Sequence, residues 1–255
     1  MPDPSPWLYY AVGAVATLII GIGKAGFGGG VGLVAVPLLA LVLPIDTVLG
    51  VLLPLLIVGD ILSIGHHWGR QSRPHVRWLG AGSVCGFCLG AVLLSYLRYS
   101  PNFIPLLTLS VGGICLGFIG LQVYRLVGGR LTRFPDHPVA GGSVGLLAAF
   151  VSTLAHAAGP LVSLYLLEQR LDKYQIVATN LVVFFGVNLA KLATYVGLGL
   201  INAASLVESL IFLPCVPIGT VLGARLHASI PERPFMAVLY IGAALAAARL
   251  IYGTL

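Results

Sequence analysis

The sequence predicts an all-α integral membrane protein made of two inverted repeats, each a broken or re-entrant helix followed by three transmembrane helices. Two observations support the membrane class. Only 9% of the residues are charged while 58% are hydrophobic, and the apolar stretches recur at the length of a membrane span. A third observation, glycine-rich interruptions at matching places in two stretches, supports the repeats. A soluble domain needs far more polar surface than this composition offers, so the exterior faces lipid.

The apolar stretches define the elements, because a transmembrane helix needs about 20 apolar residues. The first stretch is split at 23–30 and the fifth at 156–160, where glycine lowers helix propensity and proline removes a hydrogen-bond donor. In chain order the candidate elements lie at 8–22 with 31–43, 47–65, 76–97, 102–124, 139–155 with 160–167, 175–200, 205–224 and 234–252.

The two broken elements occupy matching places, and each is followed by three unbroken spans. This layout predicts a duplication with an offset of about 128 residues, which pairs Asp60 with Asn188 and Ser63 with Lys191. The expected organisation is an N-terminal tail at 1–6, a first repeat at 7–125, a cytoplasmic linker at 126–138 and a second repeat at 139–252.

Basic residues test the topology. If every element crossed once, the lysines and arginines outside the interior would be divided almost evenly between the two faces. If the fifth element instead enters, breaks and returns, one face receives all of them except Arg98 and Arg249. The enrichment of basic residues in cytoplasmic loops favours this arrangement. Whether the first broken element crosses or re-enters is left open by the charges. Repeat symmetry extends the hairpin to it and places both termini outside.

The two breaks are the first candidate substrate sites, because non-helical backbone at membrane depth is tolerated only inside protein or beside a wet cavity. Half-helices starting near Val31 and Leu161 would present free N–H groups and positive dipole ends, which suit an anion. Lys24 in the first break and Lys191 in a long apolar helix either pair with a structural partner such as Asp60 or face a pathway. Two embedded lysines against one aspartate favour an anionic substrate.

Other interior polar residues keep two interpretations each. Asp60 could couple transport to protons, form a salt bridge, or do both. His156 could donate to an anion or titrate near neutral pH, or it could fill the break as a hydrogen-bonded side chain. Asn180 and Asn188 could bind substrate or join helices. The candidate coupling residue is Asp60, and the candidate substrate-binding residues are Lys24, Gly28, Gly29, Gly30, His156, Gly159, Asn180 and Lys191.

The sequence does not favour an enzyme, a cofactor or a metal site. The run 21–26 matches G-x-G-x-x-G, but it follows an apolar helix where a dinucleotide site needs a strand. H-E-x-x-H is absent, and no nucleophile is paired with a base. Basic residues in short loops indicate topology, so no nucleic-acid partner is expected. The expected partners are a small anionic substrate and the lipid bilayer, and a homo-oligomer is left open. Residues 1–6 carry no basic residue, so we expect no cleaved signal peptide.

The run 26–37, which reads GFGGGVGLVAVP, resembles the glycine-rich first segment of the sulfite exporter TauE/SafE family. The chain length, the two four-element halves and the basic first intracellular loop are similar to that family over nearly the whole chain. The resemblance implies export of a small sulfur-containing anion, such as sulfite or an organosulfonate, across the bacterial cytoplasmic (inner) membrane. We expect a secondary transporter with alternating access around the two breaks. The second break lacks the family's glycine cluster, so the substrate stays open; the alternatives are an anion channel or a carrier of another small anion.

Overall fold

The computed structural model describes residues 5–27, 32–127, 134–229 and 232–253, and all regular structure within them is helical. The helices are α1 (Pro6–Phe27), α2 (Gly32–Leu39), α3 (Ile45–His67), α4 (Arg73–Arg98), α5 (Phe103–Leu126), α6 (Pro138–Ala155), α7 (Gly159–Leu167), α8 (Lys173–Gly197), α9 (Ala203–Phe212), α10 (Cys215–Ser229) and α11 (Glu232–Tyr252). Helices α1, α3, α4, α5, α6 and α8 are each long and apolar enough to cross a membrane, and α9 with α10 passes the same length and composition test as one bent pair. The all-α, multi-pass membrane fold is confirmed.

Both broken elements contain more helical residues than the sequence predicts. The first break was expected at 23–30, but α1 continues through Gly23 and Lys24 to Phe27. Close packing on α10 explains the continuity, because a Cβ on Gly21 would lie 2.4 Å from the carbonyl oxygen of Val216. The second break was expected at 156–160 and covers only 156–158, since Gly159 and its following proline already form the first turn of α7. Proline fits there because first-turn N–H groups have no intrahelical acceptor.

The prediction of one unbroken span at 205–224 was wrong. The chain divides there into α9 and α10, which meet at an angle of 44°. Pro214 lies between the two helices and Pro217 lies in the first turn of α10. Neither proline can donate the backbone hydrogen bond that would continue α9, so the span bends at this point.

The second broken element returns to the face from which it starts. At the end of α7, Glu168 Oε2 accepts a hydrogen bond from Phe134 N (2.6 Å), and Gln169 Nε2 donates to Phe134 O (3.3 Å). Phe134 lies just before α6, so α6 and α7 form a helical hairpin whose two ends lie close together. The same face holds the start of α4, where His75 Nε2 lies 3.2 Å from Asp136 Oδ1. We call it the basic face, because it carries Arg70, Arg73, Arg77, Arg170 and Lys173.

The opposite face is defined by the other ends of the same helices. Arg98 Nε at the end of α4 donates to Leu198 O after α8 (3.1 Å). The start of α3 also lies there, since a Cβ on Gly50 would be 1.9 Å from Leu200 O.

Two glycine-lined seams bring helices of the two predicted halves together. Along the α4–α6 seam, a Cβ on Gly82 would lie 1.8 Å from Gly142 O, and one on Gly145 would lie 2.0 Å from Leu79 O. Along the α1–α10 seam, a Cβ on Gly219 would lie 2.4 Å from Leu18 O. Small residues permit such backbone contact between membrane helices. Helices α3 and α8 pack against each other as well, and they carry the polar residues described next.

Candidate functional site

The first polar cluster joins α1, α3 and α8. Asp60 is fully buried on α3, and one of its carboxylate oxygens forms a salt bridge with Lys24 Nζ on α1. Its other oxygen accepts a hydrogen bond from Asn188 Nδ2 on α8 (2.7 Å). Both oxygens therefore have charged or polar partners, which a carboxylate at membrane depth needs. Asp60 and Asn188 are the two residues that the repeat offset pairs, and they meet between the predicted halves.

The second polar cluster joins α6 and α8. Lys191 is 0% exposed, and its Nζ donates to Ser152 Oγ (3.0 Å), to Ser152 O (3.2 Å) and to His156 Nδ1 (2.9 Å). All three acceptors are neutral. Because an ammonium can only donate, His156 Nδ1 accepts, and the ring proton on Nε2 is free to donate to Leu49 O (3.2 Å).

The backbone at His156 ends α6. Its φ of 51° lies in the left-handed region, and its N–H donates to Ser152 O (3.1 Å). A non-glycine residue in this conformation is uncommon and is held by its surroundings. Here the side-chain contacts to Lys191 and Leu49 hold the ring, and an edge-to-face contact with Tyr195 adds to them, with ring centroids 5.6 Å apart. The break thus points the imidazole inward, against the lysine.

The N-terminus of α7 follows directly after this histidine. Ala157 and Ala158 are both 0% exposed, and the N-cap residue Ala158 provides no side-chain hydrogen bond to the first turn. The first-turn N–H groups of any helix lack intrahelical acceptors and carry a partial positive charge. An uncapped helix N-terminus that begins three residues after the histidine in contact with Lys191 is chemically suited to an anion.

Asn180 lies elsewhere, on the part of α8 nearer the basic face. Its Nδ2 donates to Ser163 Oγ on α7 (2.8 Å). Asn180 is 0% exposed, and its Oδ1 has no hydrogen-bond partner among the described residues. The residue therefore joins α7 to α8 and has one buried polar atom left for a further contact.

The buried charges leave an excess of positive charge. Among the lysines, arginines, aspartates and glutamates whose burial is described, the buried ones are Lys24, Lys191 and Asp60, a formal sum of one positive charge. Asp60 is paired with Lys24, whereas Lys191 has no carboxylate within salt-bridge distance in the described structure. Glu208 on α9, which the sequence reading overlooks, is only partly buried.

The structure brings together most of the predicted site residues, but in two clusters. Lys24 and Asp60 form one, and His156, Gly159 and Lys191 form or adjoin the other. Lys24 was expected inside the first break and lies instead in the last turn of α1. The remaining candidates Gly28, Gly29 and Gly30 lie outside the described residues.

Ser152 and Ser163 were missed by the sequence reading, and for Ser152 a signal existed. Ser152 lies 128 positions after Lys24, so the repeat offset that pairs Asp60 with Asn188 also pairs these two residues. Ser163 has no comparable signal, because serine is common in membrane helices and its partner on α8 is set by tertiary packing.

Comparison with known proteins gives one match. A family model described as sulfite exporter TauE/SafE matches residues 13–250, nearly the whole chain. No curated protein and no solved structure matches the chain. The match includes both polar clusters and the helices that hold them. The chain therefore belongs to the sulfite exporter TauE/SafE family, a family of membrane transporters of sulfite and related anions.

Proposed function

We propose that this chain is a secondary transporter that exports a small sulfur-containing anion, sulfite or an organosulfonate, across the bacterial cytoplasmic membrane. Family membership supports the transport class. The observation that supports an anionic substrate is Lys191, a fully buried lysine whose described hydrogen-bond partners are all neutral. An intramembrane cation without a counter-charge is costly, and a transported anion would supply that charge.

We propose that the anion binds where α6 breaks. Lys191 supplies the charge, the first turn of α7 from Gly159 supplies N–H donors, and Ser152 Oγ supplies a hydroxyl. In the described conformation the donors of Lys191 point to Ser152 and His156. The anion must therefore displace at least one of these contacts. His156 is the natural one, because its ring is held by a single further hydrogen bond to Leu49. Lys24 and the glycines 28–30 would form the corresponding site in the first half, and Asn180 would contact substrate on its way from the basic face.

We propose that access alternates by movement of two inverted repeats. Matched contacts support this. His67 Nε2 lies 3.2 Å from Ala25 O, and Tyr195 Oη donates to Thr153 O at 2.9 Å. Each residue of the second contact lies 128 positions after its counterpart in the first, the offset that also separates Asp60 from Asn188. The equivalent helices of the two halves thus make equivalent contacts.

Asp60 is the proposed coupling residue. It is bound on one side by Lys24 of its own half and on the other by Asn188 of the second half. Any movement of α8 against α3 changes the second contact, and so the environment of the carboxylate. Proton coupling is not required for export of a monovalent anion, because an inside-negative potential contributes about 2.3 kcal/mol per 100 mV in that direction.

The test is sulfite flux through proteoliposomes containing Lys191→Met, compared with Lys173→Met. Both variants lose one lysine of α8, but Lys173 is exposed on the basic face. We expect the first to lose sulfite flux and the second to keep it. Size-exclusion profiles and unfolding curves of both variants show whether they are folded. Undiminished flux through folded Lys191→Met would remove the lysine from the site.

A further inference from the structure

A groove of about 460 Å³ runs between α4 and α8 on the outside of the helix bundle. Its walls include Val76, Gly80, Val84 and Phe87 on α4, and Val183 and Gly186 on α8. The lining is almost entirely apolar. Val84 is 64% exposed and Gly186 is exposed, so the groove opens to the exterior of the molecule.

The groove is open because Gly80 and Gly186, which line it, have no side chains to fill it. A Cβ placed on Gly80 or on Gly186 would meet no atom within 4 Å. This differs from the glycines of the α4–α6 seam, where Gly86 on the same helix approaches Leu146 O so closely that a Cβ would lie 1.9 Å away. One face of α4 therefore packs tightly against α6, and the adjacent face of α4 lines the groove.

The position of the groove determines what can fill it. Both α4 and α8 are candidate membrane spans, so an apolar slot between them that opens outward meets hydrocarbon. The slot is elongated along the helices, since its α4 lining extends from Val76 to Cys88. A single extended acyl chain has this shape and polarity.

The end of the groove at the basic face is positively charged. Arg73 and Arg77 precede Val76 and Gly80 by three residues each, so helical periodicity places both arginines on the same face of α4 as the lining. Both are exposed, and neither forms a salt bridge within the described part of the chain. Asp136, the acidic residue in contact with this end of α4, pairs with His75 instead. Arginine pairs of this kind suit a phosphate.

We infer that the α4–α8 groove binds an anionic phospholipid, with one acyl chain between Gly80 and Gly186 and the phosphate between Arg73 and Arg77. Basic pockets between membrane helices on the cytoplasmic side recognise anionic headgroups in this way. The lipid would lie against α8 at Val187 and Ala190, which are the neighbours in sequence of Asn188 and Lys191. This site is separate from the proposed anion site, which α8 presents to α3 and α6.

The experiment is native mass spectrometry of the full chain incubated with equimolar dioleoyl phosphatidylglycerol and dioleoyl phosphatidylethanolamine. We expect one phosphatidylglycerol to be retained in preference to phosphatidylethanolamine. Two arginines near a membrane surface contribute about 2 kcal/mol, which corresponds to a preference of about 30-fold. Arg73→Gln with Arg77→Gln should abolish the preference. The control, Arg170→Gln with Lys173→Gln, removes the same charge from the same face and should leave the preference unchanged.

The groove itself is tested by filling it. Gly186→Leu should abolish retention of both lipids, and Gly80→Leu should do the same from the opposite wall. Gly113→Leu on α5 is the matched control, because Gly113 also has open space at its Cβ and lies outside the groove. Equal lipid retention in the wild type and in both groove variants would overturn the assignment. A dimer that disappears in Gly186→Leu while lipid retention does not change would show that a second copy covers this face, and would overturn it too. Lipid retention is read without any flux, so its failure leaves the proposed transport function untouched.

Discussion

The salt bridge between Lys24 and Asp60 should show strong energetic coupling. Asp60 is 0% exposed and Lys24 is 6% exposed, so neither charge has water as an alternative partner. Asp60→Asn keeps the size of the side chain but leaves the ammonium of Lys24 without a counter-charge. Removing one partner of a buried pair costs about 3–5 kcal/mol. Lys24→Met leaves Asp60 with only its contact to Asn188 and should cost a similar amount.

The double variant Lys24→Met with Asp60→Asn removes both charges together. It leaves no uncompensated charge, and replacing a buried ion pair by neutral groups of similar volume is often close to neutral. We therefore expect the double variant to cost less than the sum of the single variants by about 3 kcal/mol or more. Unfolding titrations from mixed micelles, followed by tryptophan fluorescence, give the three free energies of unfolding.

A partly exposed pair is the control for this cycle. Asp136 is 62% exposed on its side chain where it meets His75, so Asp136→Asn should cost at most about 1 kcal/mol. If the Lys24 and Asp60 effects simply add, the two residues are not energetically coupled, and the account of a buried pair at the centre of the molecule is refuted.

Two further predictions concern backbone geometry. Gly86→Ala should destabilise the protein by about 1–3 kcal/mol, because the new methyl group would overlap Leu146 O. Gly80→Ala on the same helix should be neutral or slightly stabilising. Equal effects of the two variants in unfolding titrations would contradict the close packing of α4 on α6. His156→Val should be less stable than His156→Gly by about 1–2 kcal/mol, because a φ of 51° is strained for a β-branched residue but not for glycine. Both variants lose the imidazole, so its contacts do not contribute to the difference, and no difference would mean that the break can relax.

Hydropathy and charge alone predict much of the fold. The all-helical class and the long apolar spans follow from apolar length, whereas the pairing of two broken elements and the return of the fifth element stay predictions. The helix boundaries do not follow from hydropathy and charge, because a glycine can either break a helix or let another helix pack closely against it. At Gly21 and Gly26 its low helix propensity is overridden by packing against α10, so a glycine-rich run is helical. Local propensity cannot distinguish a glycine that breaks a helix from one that lets another helix approach.

The candidate site was only partly predictable for a related reason. Buried charges are costly in lipid, so Lys24, Asp60 and Lys191 stand out in any apolar sequence. Their neutral partners do not stand out, because a serine or asparagine costs little in a membrane helix. Ser152 becomes visible only through the repeat offset, and the choice of Lys24 as the partner of Asp60 depends on how α1 packs against α3.

The most direct test of the transport assignment is sulfite counterflow in proteoliposomes. Vesicles loaded with unlabelled sulfite should take up labelled sulfite transiently against its gradient, and the initial rate should saturate with external sulfite. That result would establish a carrier for this anion and exclude a channel. Sulfite flux that neither saturates nor responds to internal sulfite would contradict alternating access. The absence of any sulfite flux from folded protein would contradict the substrate and direct the same assay to organosulfonates.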